Sequence, residues 1–309
     1  MTESRRQHGS TSLALGCLDA VGKVARDDTR DPAAAVLEIC ESFRELPQSR
    51  AALGLVVAAC RSAATRLRDS GNDTETRQIL VECAELYSRY VLRARASTAV
   101  YARDALDGVG TVLTLCRSST VAEALIASFR MRGVPKAVYV LETRPGLEGW
   151  AMAGELHRSD LEVTVAVDSA VSHLIKKVDL VLIGADLVTA DGCVLNRVGT
   201  SVACQLAHAS SVAVMALAPS YVASSVLAEG VTIDDRGRAE VLRAGLVERA
   251  TGLRVENPAD DLVPPELVGR VATDDGVMET RDMPAPALAM QGRVWASLDT
   301  LISKSGSGK

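Results

Sequence analysis

The first hundred residues place apolar side chains at the three- and four-residue spacing of amphipathic helices, and this pattern changes near Gly108. Asp31 and Pro32 are the residue types of an N-cap and a first helical turn, and Asp73 is placed to cap the long amphipathic stretch after it. We find no strand-like run in this part. The sequence therefore predicts an N-terminal helical domain over residues 1–105.

From about Gly108, short apolar runs alternate with helical ones. Near-continuous apolar strands separated by helices are typical of a parallel sheet that is covered on both faces. The strand-like runs are TVLTLC, KAVYVLET, LEVTVAV, VDLVLIGAD and SVAVMALAP. The predicted fold class is α/β: an N-terminal helical domain, followed over residues 106–309 by a Rossmann-like catalytic domain with a mainly parallel sheet.

Chemically active side chains follow four of these runs in succession. Cys116 follows the first, Glu142 and Arg144 the second, Asp168 the third and Asp186 the fourth. In open parallel sheets, ligands bind in the crevice outside the carboxyl ends of the strands. The order of residues therefore predicts a site at that edge of the sheet.

Cys116 stands between a strand and the start of a helix. Backbone N–H groups and the positive end of a helix dipole lower the pKa of a thiol, which predicts a base or a nucleophile. The alternative is a buried structural cysteine. Arg117 follows, and Ser118, Ser119 and Thr120 offer hydroxyl and backbone donors to a phosphate, or simply cap the helix.

Asp186 ends an apolar strand, and such surroundings favour the protonated form of a carboxyl group, which can donate a proton. An aspartate that caps a turn or a helix is the alternative. Ten residues on come Asn196 and Arg197, then Gly199 and Thr200, which have the residue types of a helix start. We therefore expect hydrogen-bonding side chains and an anion-binding helix end beside the acid.

Arg144 lies next to a proline in the segment ETRPG. Its guanidinium group can hold a phosphate or a carboxylate through paired hydrogen bonds. The alternative is a structural ion pair with Glu142 or another neighbouring carboxylate.

Composition narrows the classes of ligand. The net charge of -5 argues against a general nucleic-acid or anionic-membrane binder, and 3% aromatic residues argue against a base-stacking platform. The seven cysteines form no CxxC pair and the four histidines share no metal-type spacing, so we expect no metal, no other cofactor and a reducing, cytoplasmic setting. No stretch approaches the length of a membrane span.

Several segments resemble one known family, in the same order along the chain. They are TVLTLCRSST, VYVLETRPGLEGWAMAGEL, VTVAVDSAV, VDLVLIGADLVTADGCVLNRVGT and ENPADDLVPPELVGRVATDDGV, and a weaker match is HGSTSLA at residues 8–14. The family joins the alpha, beta and delta subunits of translation initiation factor 2B with two sugar-phosphate isomerases. Those isomerases act on ribose-1,5-bisphosphate and on 5-methylthioribose-1-phosphate.

The isomerases of this family resemble one another in a cysteine after the first Rossmann strand and an aspartate in GAD, a combination that the initiation-factor subunits generally lack. Cys116 and Asp186 match both positions. The resemblance therefore implies an aldose–ketose isomerase in which Cys116 takes a proton from C2 and Asp186 delivers one to the neighbouring position. A non-catalytic regulator that binds a sugar phosphate or a nucleotide is the alternative.

Chain length and the short N-terminus look more like the ribose-1,5-bisphosphate enzyme. In that comparison Ser118, Ser119 and Thr120 match a phosphate-binding segment, and Asn196 and Arg197 match an Asn-Lys pair that contacts substrate. The resemblance also implies a phosphorylated sugar as the partner and at least a homodimer.

The sequence departs from the family pattern at two places. HGST replaces a glycine-rich, arginine-bearing motif, so Gly9, Ser10 and Thr11 are the expected contacts there. Val222 follows Tyr221 where the family usually has a lysine that contacts substrate. The C5 substituent of the sugar therefore stays open, with 5-methylthioribose-1-phosphate or another C5-modified ribose-1-phosphate as the alternative to the bisphosphate.

Overall fold

A computed structural model describes residues 9–43, 50–242 and 252–303, and its first part is helical, as predicted. The helices pack around a core that receives one fully buried cysteine from each of them. Those cysteines are Cys17, Cys40, Cys60 and Cys83. The helices are α1 (Ser10–Ala25), α2 (Pro32–Ser42), α3 (Ala51–Leu67) and α4 (Asp73–Ala105).

Short polar side chains set the starts of two of these helices. The carboxylate of Asp31 accepts a hydrogen bond from the N–H of Ala34 at 2.6 Å, which confirms the predicted cap of α2. Helix α4 is capped instead by Asn72, whose side chain accepts from the N–H of Glu75 at 3.2 Å. The prediction of Asp73 as the cap is wrong by one residue, because Asn72 and Asp73 are both good capping residues.

The second part alternates strands and helices, and all five predicted strands are present. The strands are β1 (Thr111–Leu115), β2 (Ala137–Leu141), β3 (Glu162–Ala166), β4 (Leu180–Gly184), β5 (Leu187–Val188), β6 (Val194–Arg197), β7 (Ala213–Leu217), β8 (Asp260–Val263), β9 (Arg270–Thr273) and β10 (Gly276–Glu279). The helices are α5 (Ser119–Arg132), α6 (Glu148–His157), α7 (Val171–Leu174), α8 (Thr200–Ala209), α9 (Arg238–Val241), α10 (Pro265–Val268) and α11 (Pro284–Ser303).

The main sheet has the strand order β10-β9-β7-β4-β1-β2-β3, and β10 is its antiparallel strand. A small antiparallel sheet, β5-β6-β8, lies beside it. The chain leaves β1 toward β2 and β3 on one side and returns to β4 and β7 on the other. The order therefore reverses between β1 and β4, and ligands of doubly wound sheets bind outside the carboxyl ends at this switch point.

The last helix returns to the first part of the chain. Helix α11 packs against α3 and α4, and Arg66 donates a hydrogen bond to Asp299 at 2.5 Å. Strand β1 follows α4 close to the predicted boundary at residues 105 and 106, and we keep the division into two domains as a proposal. No helix within the described ranges is long and apolar enough to cross a membrane.

We expect the protein to lose stability above about pH 9. Burial raises the pKa of Cys17 to about 12 and that of Cys40 to about 11, whereas thiols of the unfolded chain ionise near 8.5. The unfolded chain then binds fewer protons than the folded one. The contribution of these thiols to the free energy of unfolding is therefore complete at neutral pH. Above the pKa of the unfolded thiol it falls by about 1.4 kcal/mol per pH unit for each such thiol.

Urea unfolding at pH 7.5, 9 and 10 measures this loss. Cys17→Ala should make the free energy of unfolding fall less steeply with pH, whatever the effect of the substitution on that free energy at pH 7.5. A free energy of unfolding that stays level up to pH 10 would contradict the expectation.

Candidate functional site

A cavity opens at the switch point of the main sheet, with about 600 Å³ of space including its mouth. It lies between the ends of β1 and β4 and the first turns of α1 and α5. Eleven of the residues predicted from the sequence line it: Gly9, Ser10, Thr11, Cys116, Arg117, Ser118, Ser119, Thr120, Asp186, Asn196 and Arg197.

Cys116 occupies an unusual backbone position. It directly follows β1, it is 5% exposed, and its φ of 53° lies in the left-handed region that non-glycine residues seldom adopt. Its N–H donates to Oγ1 of Thr143 at 2.7 Å. Strained residues of this kind concentrate at functional sites, where the surrounding structure holds them in place.

Asp168 holds the loop that supports Cys116. Its two carboxylate oxygens accept hydrogen bonds from the N–H of Thr143 at 2.8 Å and of Arg144 at 2.7 Å. The chain from Asp168 to Thr143 to Cys116 therefore links the ends of three adjacent strands. This explains the aspartate that the sequence places after the third strand, which fixes a loop and does not line the cavity.

The thiol of Cys116 is neutral in the free protein. Burial raises its pKa well above the ordinary value, Arg197 opposes this, and the carboxylates of Glu148 and Asp186 add to it. The predicted lowering of the pKa by a helix end is therefore wrong. The thiol lies in a closed space, and its burial is the largest cause of the raised pKa.

Two helix N-termini face the cavity. Ser118 is the N-cap of α5 and accepts a hydrogen bond from the N–H of Val121 at 3.3 Å, so Ser119 and Thr120 form the first turn. A side chain at Gly184 would bring a carbon within 2.7 Å of the Ser118 oxygen, so this close approach of β4 to α5 requires glycine. The first turn of a helix provides N–H donors and a positive dipole end for an anion.

The N-terminus of α1 has no side-chain cap. Gly9 is the N-cap residue, and the buried hydroxyl of Ser10 has no hydrogen-bond partner among the described residues. Thr11 and Tyr221 share a hydrogen bond of 2.9 Å between their hydroxyl groups. The first turn of α1 therefore presents unsatisfied donors toward the cavity.

The N-terminus of α8, which the sequence predicts as an anion-binding helix end, is already occupied by a carboxylate of the protein. The N–H groups of Gly199 and Ser201 at the start of α8 donate to one carboxylate oxygen of Asp261, at 2.8 and 2.9 Å. Thr200 turns inward, donating to the carbonyl of Arg197 at 2.6 Å and accepting from Asn196 at 3.1 Å. The prediction of an anion site at Gly199 is wrong, because a carboxylate from β8 takes its place.

Arg197 is a buried cation that carboxylates surround. Nη1 lies 2.8 Å from Asp260, and Nε lies 3.4 Å from Glu148. Burial opposes the charge, but Asp186, Asp260 and Glu148 outweigh it and raise the pKa of Arg197 above its usual range. Glu148 is 3.6 Å from a second arginine, Arg236. Arg197 therefore lines the cavity from within an ion network.

The sequence interpretation missed Glu148 and Arg50. Glu148 is the first residue of α6, lines the cavity and is 8% exposed. Arg50 is 4% exposed and interacts electrostatically with Asp186, and the next residue, Ala51, donates its N–H to the carbonyl of Asp186 at 3.2 Å. Glu148 lies in the family-like segment VYVLETRPGLEGWAMAGEL, whereas no local signal marks Arg50.

Arg144 is the predicted contact that does not line the cavity. Its Nη2 donates to the carbonyl of Val241 in α9 at 3.2 Å. Its backbone is held by Asp168, which directs this residue to the loop that supports Cys116. The structure therefore gives Arg144 a role in loop packing.

One wall of the cavity is apolar where the family pattern has a lysine. Pro219, Tyr221 and Val222 follow β7 and line this side. Tyr221 is fully buried and Val222 is 1% exposed.

Residues 6–280 match the family described as the initiation factor 2 subunit family. The chain belongs to this family. The ribose 1,5-bisphosphate isomerase of Haloferax volcanii is 31% identical over 273 residues, which cover 87% of this chain and 83% of that protein. The methylthioribose-1-phosphate isomerase of Exiguobacterium sibiricum is 32% identical over 212 residues, which cover 64% of this chain and 61% of that protein.

The fold of the chain also matches solved structures of the family. The 5-methylthioribose 1-phosphate isomerase of Pyrococcus horikoshii superposes with a TM-score of 0.76 at 21% identity, covering 93% of this chain and 84% of that one. These comparisons confirm the family resemblance and the fold class that the sequence predicts.

We expect Glu148→Gln to destabilise the protein by about 3 kcal/mol, because it leaves Arg197 and Arg236 with less compensation for their burial. Urea unfolding at pH 7.5 measures the change. Glu155→Gln is a matched control on the same helix. Its partner is the half-exposed Arg117, so that loss should stay below about 1 kcal/mol. Equal losses of the free energy of unfolding in the two variants would contradict the assignment of a buried ion network.

Proposed function

We propose that this protein is an aldose–ketose isomerase that acts on a C1-phosphorylated pentose. The observation that carries the proposal is that Cys116 and Asp186 line one cavity together with the open first turns of α1 and α5. The isomerases among its relatives support the same class of reaction.

The reaction needs both an acid and a base. A phosphate on C1 prevents the sugar ring from opening unaided, so the ring oxygen must receive a proton as its bond to C1 breaks. In our proposal Asp186 donates that proton and Cys116 takes the proton of C2. A proton then joins C1, the C2 hydroxyl loses its own proton, and the product is the ketose. Protons given and taken balance over the cycle.

The neutral state of Cys116 constrains how the reaction begins. Cys116 must lose its thiol proton before it can take the proton of C2, and Asp186 must hold a proton before it can donate one. Arg197 interacts electrostatically with both groups and stabilises whichever of them carries the negative charge. We therefore assign Arg197 to the stabilisation of these charges, while its ion pairs with Asp260 and Glu148 hold it in place.

Two helix N-termini suit a substrate with two phosphates. Ser118, Ser119 and Thr120 offer the first turn of α5 to one phosphate, and Gly9, Ser10 and Thr11 offer that of α1 to the other. This favours ribose-1,5-bisphosphate, as does the long alignment with the Haloferax isomerase.

The apolar wall is the observation that favours the alternative substrate. With Val222 in place of a cation, the cavity offers an apolar surface to the sugar's C5 substituent, as 5-methylthioribose-1-phosphate would need.

Proton NMR of the purified protein with each of the two sugar phosphates tests both the reaction and the substrate. We expect ketose formation, with Cys116→Ser and Asp186→Asn each lowering kcat/KM by at least about 1,000-fold, the range for a missing acid or base. Cys193→Ser is the control, because Cys193 is half-buried and does not line the cavity. Circular dichroism confirms that each variant folds.

Two results would overturn the proposal. Full activity in either cavity variant would remove the proposed acid–base pair. No turnover of either sugar, together with a rise in melting temperature on adding it, would instead favour a non-catalytic member that binds a sugar phosphate.

A further inference from the structure

A second cavity lies between α4, α11 and the turn that joins β9 to β10. It holds about 990 Å³ of space including its mouth. Arg89 and Arg93 of α4 and Arg293 of α11 line it. Its remaining walls are largely apolar, with Leu86, Met290 and Val294 among them.

The positive charges of this cavity are poorly neutralised. Arg89 lies 3.6 Å from Glu85, and among the described residues the guanidinium group of Arg293 donates only to the sulfur of Met290, at 3.5 Å. Arg93 makes no hydrogen bond or ion pair anywhere in the described ranges. Since Arg89 and Arg93 are also four residues apart on one helix face, their charges repel each other. An anion that bridges these groups would remove that repulsion.

The acidic residue that lines the cavity is already engaged. Asp274 accepts the N–H of Ser220 at 2.5 Å with one oxygen and the Ser220 hydroxyl at 2.8 Å with the other. Within the described ranges no ion pair joins Asp274 to an arginine of the cavity, and Asp274 is the one carboxylate of the lining.

We propose that this cavity binds a small organic phosphate that carries two negative charges and an apolar body. Guanidinium groups pair with phosphate oxygens through two parallel hydrogen bonds, and the three arginines come from two helices that enclose the space. The apolar walls suit the body of the ligand, as in most small-molecule sites of this size. The proposal does not depend on the reaction in the first cavity.

Residues that line the second cavity contact the chain segment that lines the first. Tyr90 lines the second cavity, and its hydroxyl shares a 2.8 Å hydrogen bond with that of Ser220. The next residue, Tyr221, lines the first cavity, and its ring meets that of Tyr90 edge to face at 6.3 Å. A ligand that contacts Tyr90 or Asp274 therefore contacts a side chain that is hydrogen-bonded to Ser220. We infer that binding of the ligand restricts the motion of residues 220–222.

Calorimetric titration with phenyl phosphate at low salt tests the site. All proteins carry Ser119→Asp, which places a carboxylate in the phosphate region of the first cavity and so isolates the second. We expect Arg93→Gln and Arg293→Gln each to weaken binding at least about tenfold, since each removes a charged hydrogen-bond partner. Arg68→Gln is the control, because Arg68 is an exposed arginine at the end of α3. We expect it to change the affinity for phenyl phosphate by less than about twofold.

Hydrogen exchange tests the connection between the cavities. Phenyl phosphate should slow amide exchange in the peptide over residues 217–225, and Tyr90→Phe should abolish this protection while binding stays within about twofold.

Three outcomes would overturn the proposal. One is binding that Arg93→Gln and Arg293→Gln leave unchanged, and another is equal weakening by Arg68→Gln. The third is a loss of oligomer in Arg93→Gln with phosphate binding intact, which would make this surface a subunit interface.

Discussion

The arrangement of the first cavity depends on the ion network around Arg197. This buried guanidinium group comes from β6, and it contacts Asp260 of β8 and Glu148 of α6. Removing such charges from water costs several kcal/mol each, so the network persists only where the partners are held in place. It therefore joins the small sheet to α6, and two of its members, Arg197 and Glu148, line the cavity beside Cys116 and Asp186.

The same network sets the charges beside the thiol of Cys116. Near Cys116 the carboxylates disfavour the thiolate and Arg197 favours it. These charges lie close to Cys116 and Asp186, the groups that we propose as base and acid, so an anionic ligand in the cavity would change their electrostatic surroundings directly.

The sequence predicts the parts of the site that local pattern controls. The five apolar runs become β1 to β4 and β7, and the rule that ligands bind at carboxyl ends places Cys116 and Asp186 together without a structure. Local pattern does not reveal which charges meet in space. The pairing of Arg197 with Asp260, the capping of α8 by Asp261 and the direction of the Cys116 pKa all depend on residues distant in sequence. Arg144 shows the same limit, because its neighbour Asp168 directs it away from the cavity.

The segment from Pro219 to Val222 shows how a departure from the family pattern fits the rest of the molecule. Ser220 is held on three sides by Tyr90, Asp274 and Gln291. Tyr221 and Val222 follow it as buried residues that line the first cavity. Through Tyr90 and Gln291, α4 and α11 therefore hold the segment that forms the apolar wall.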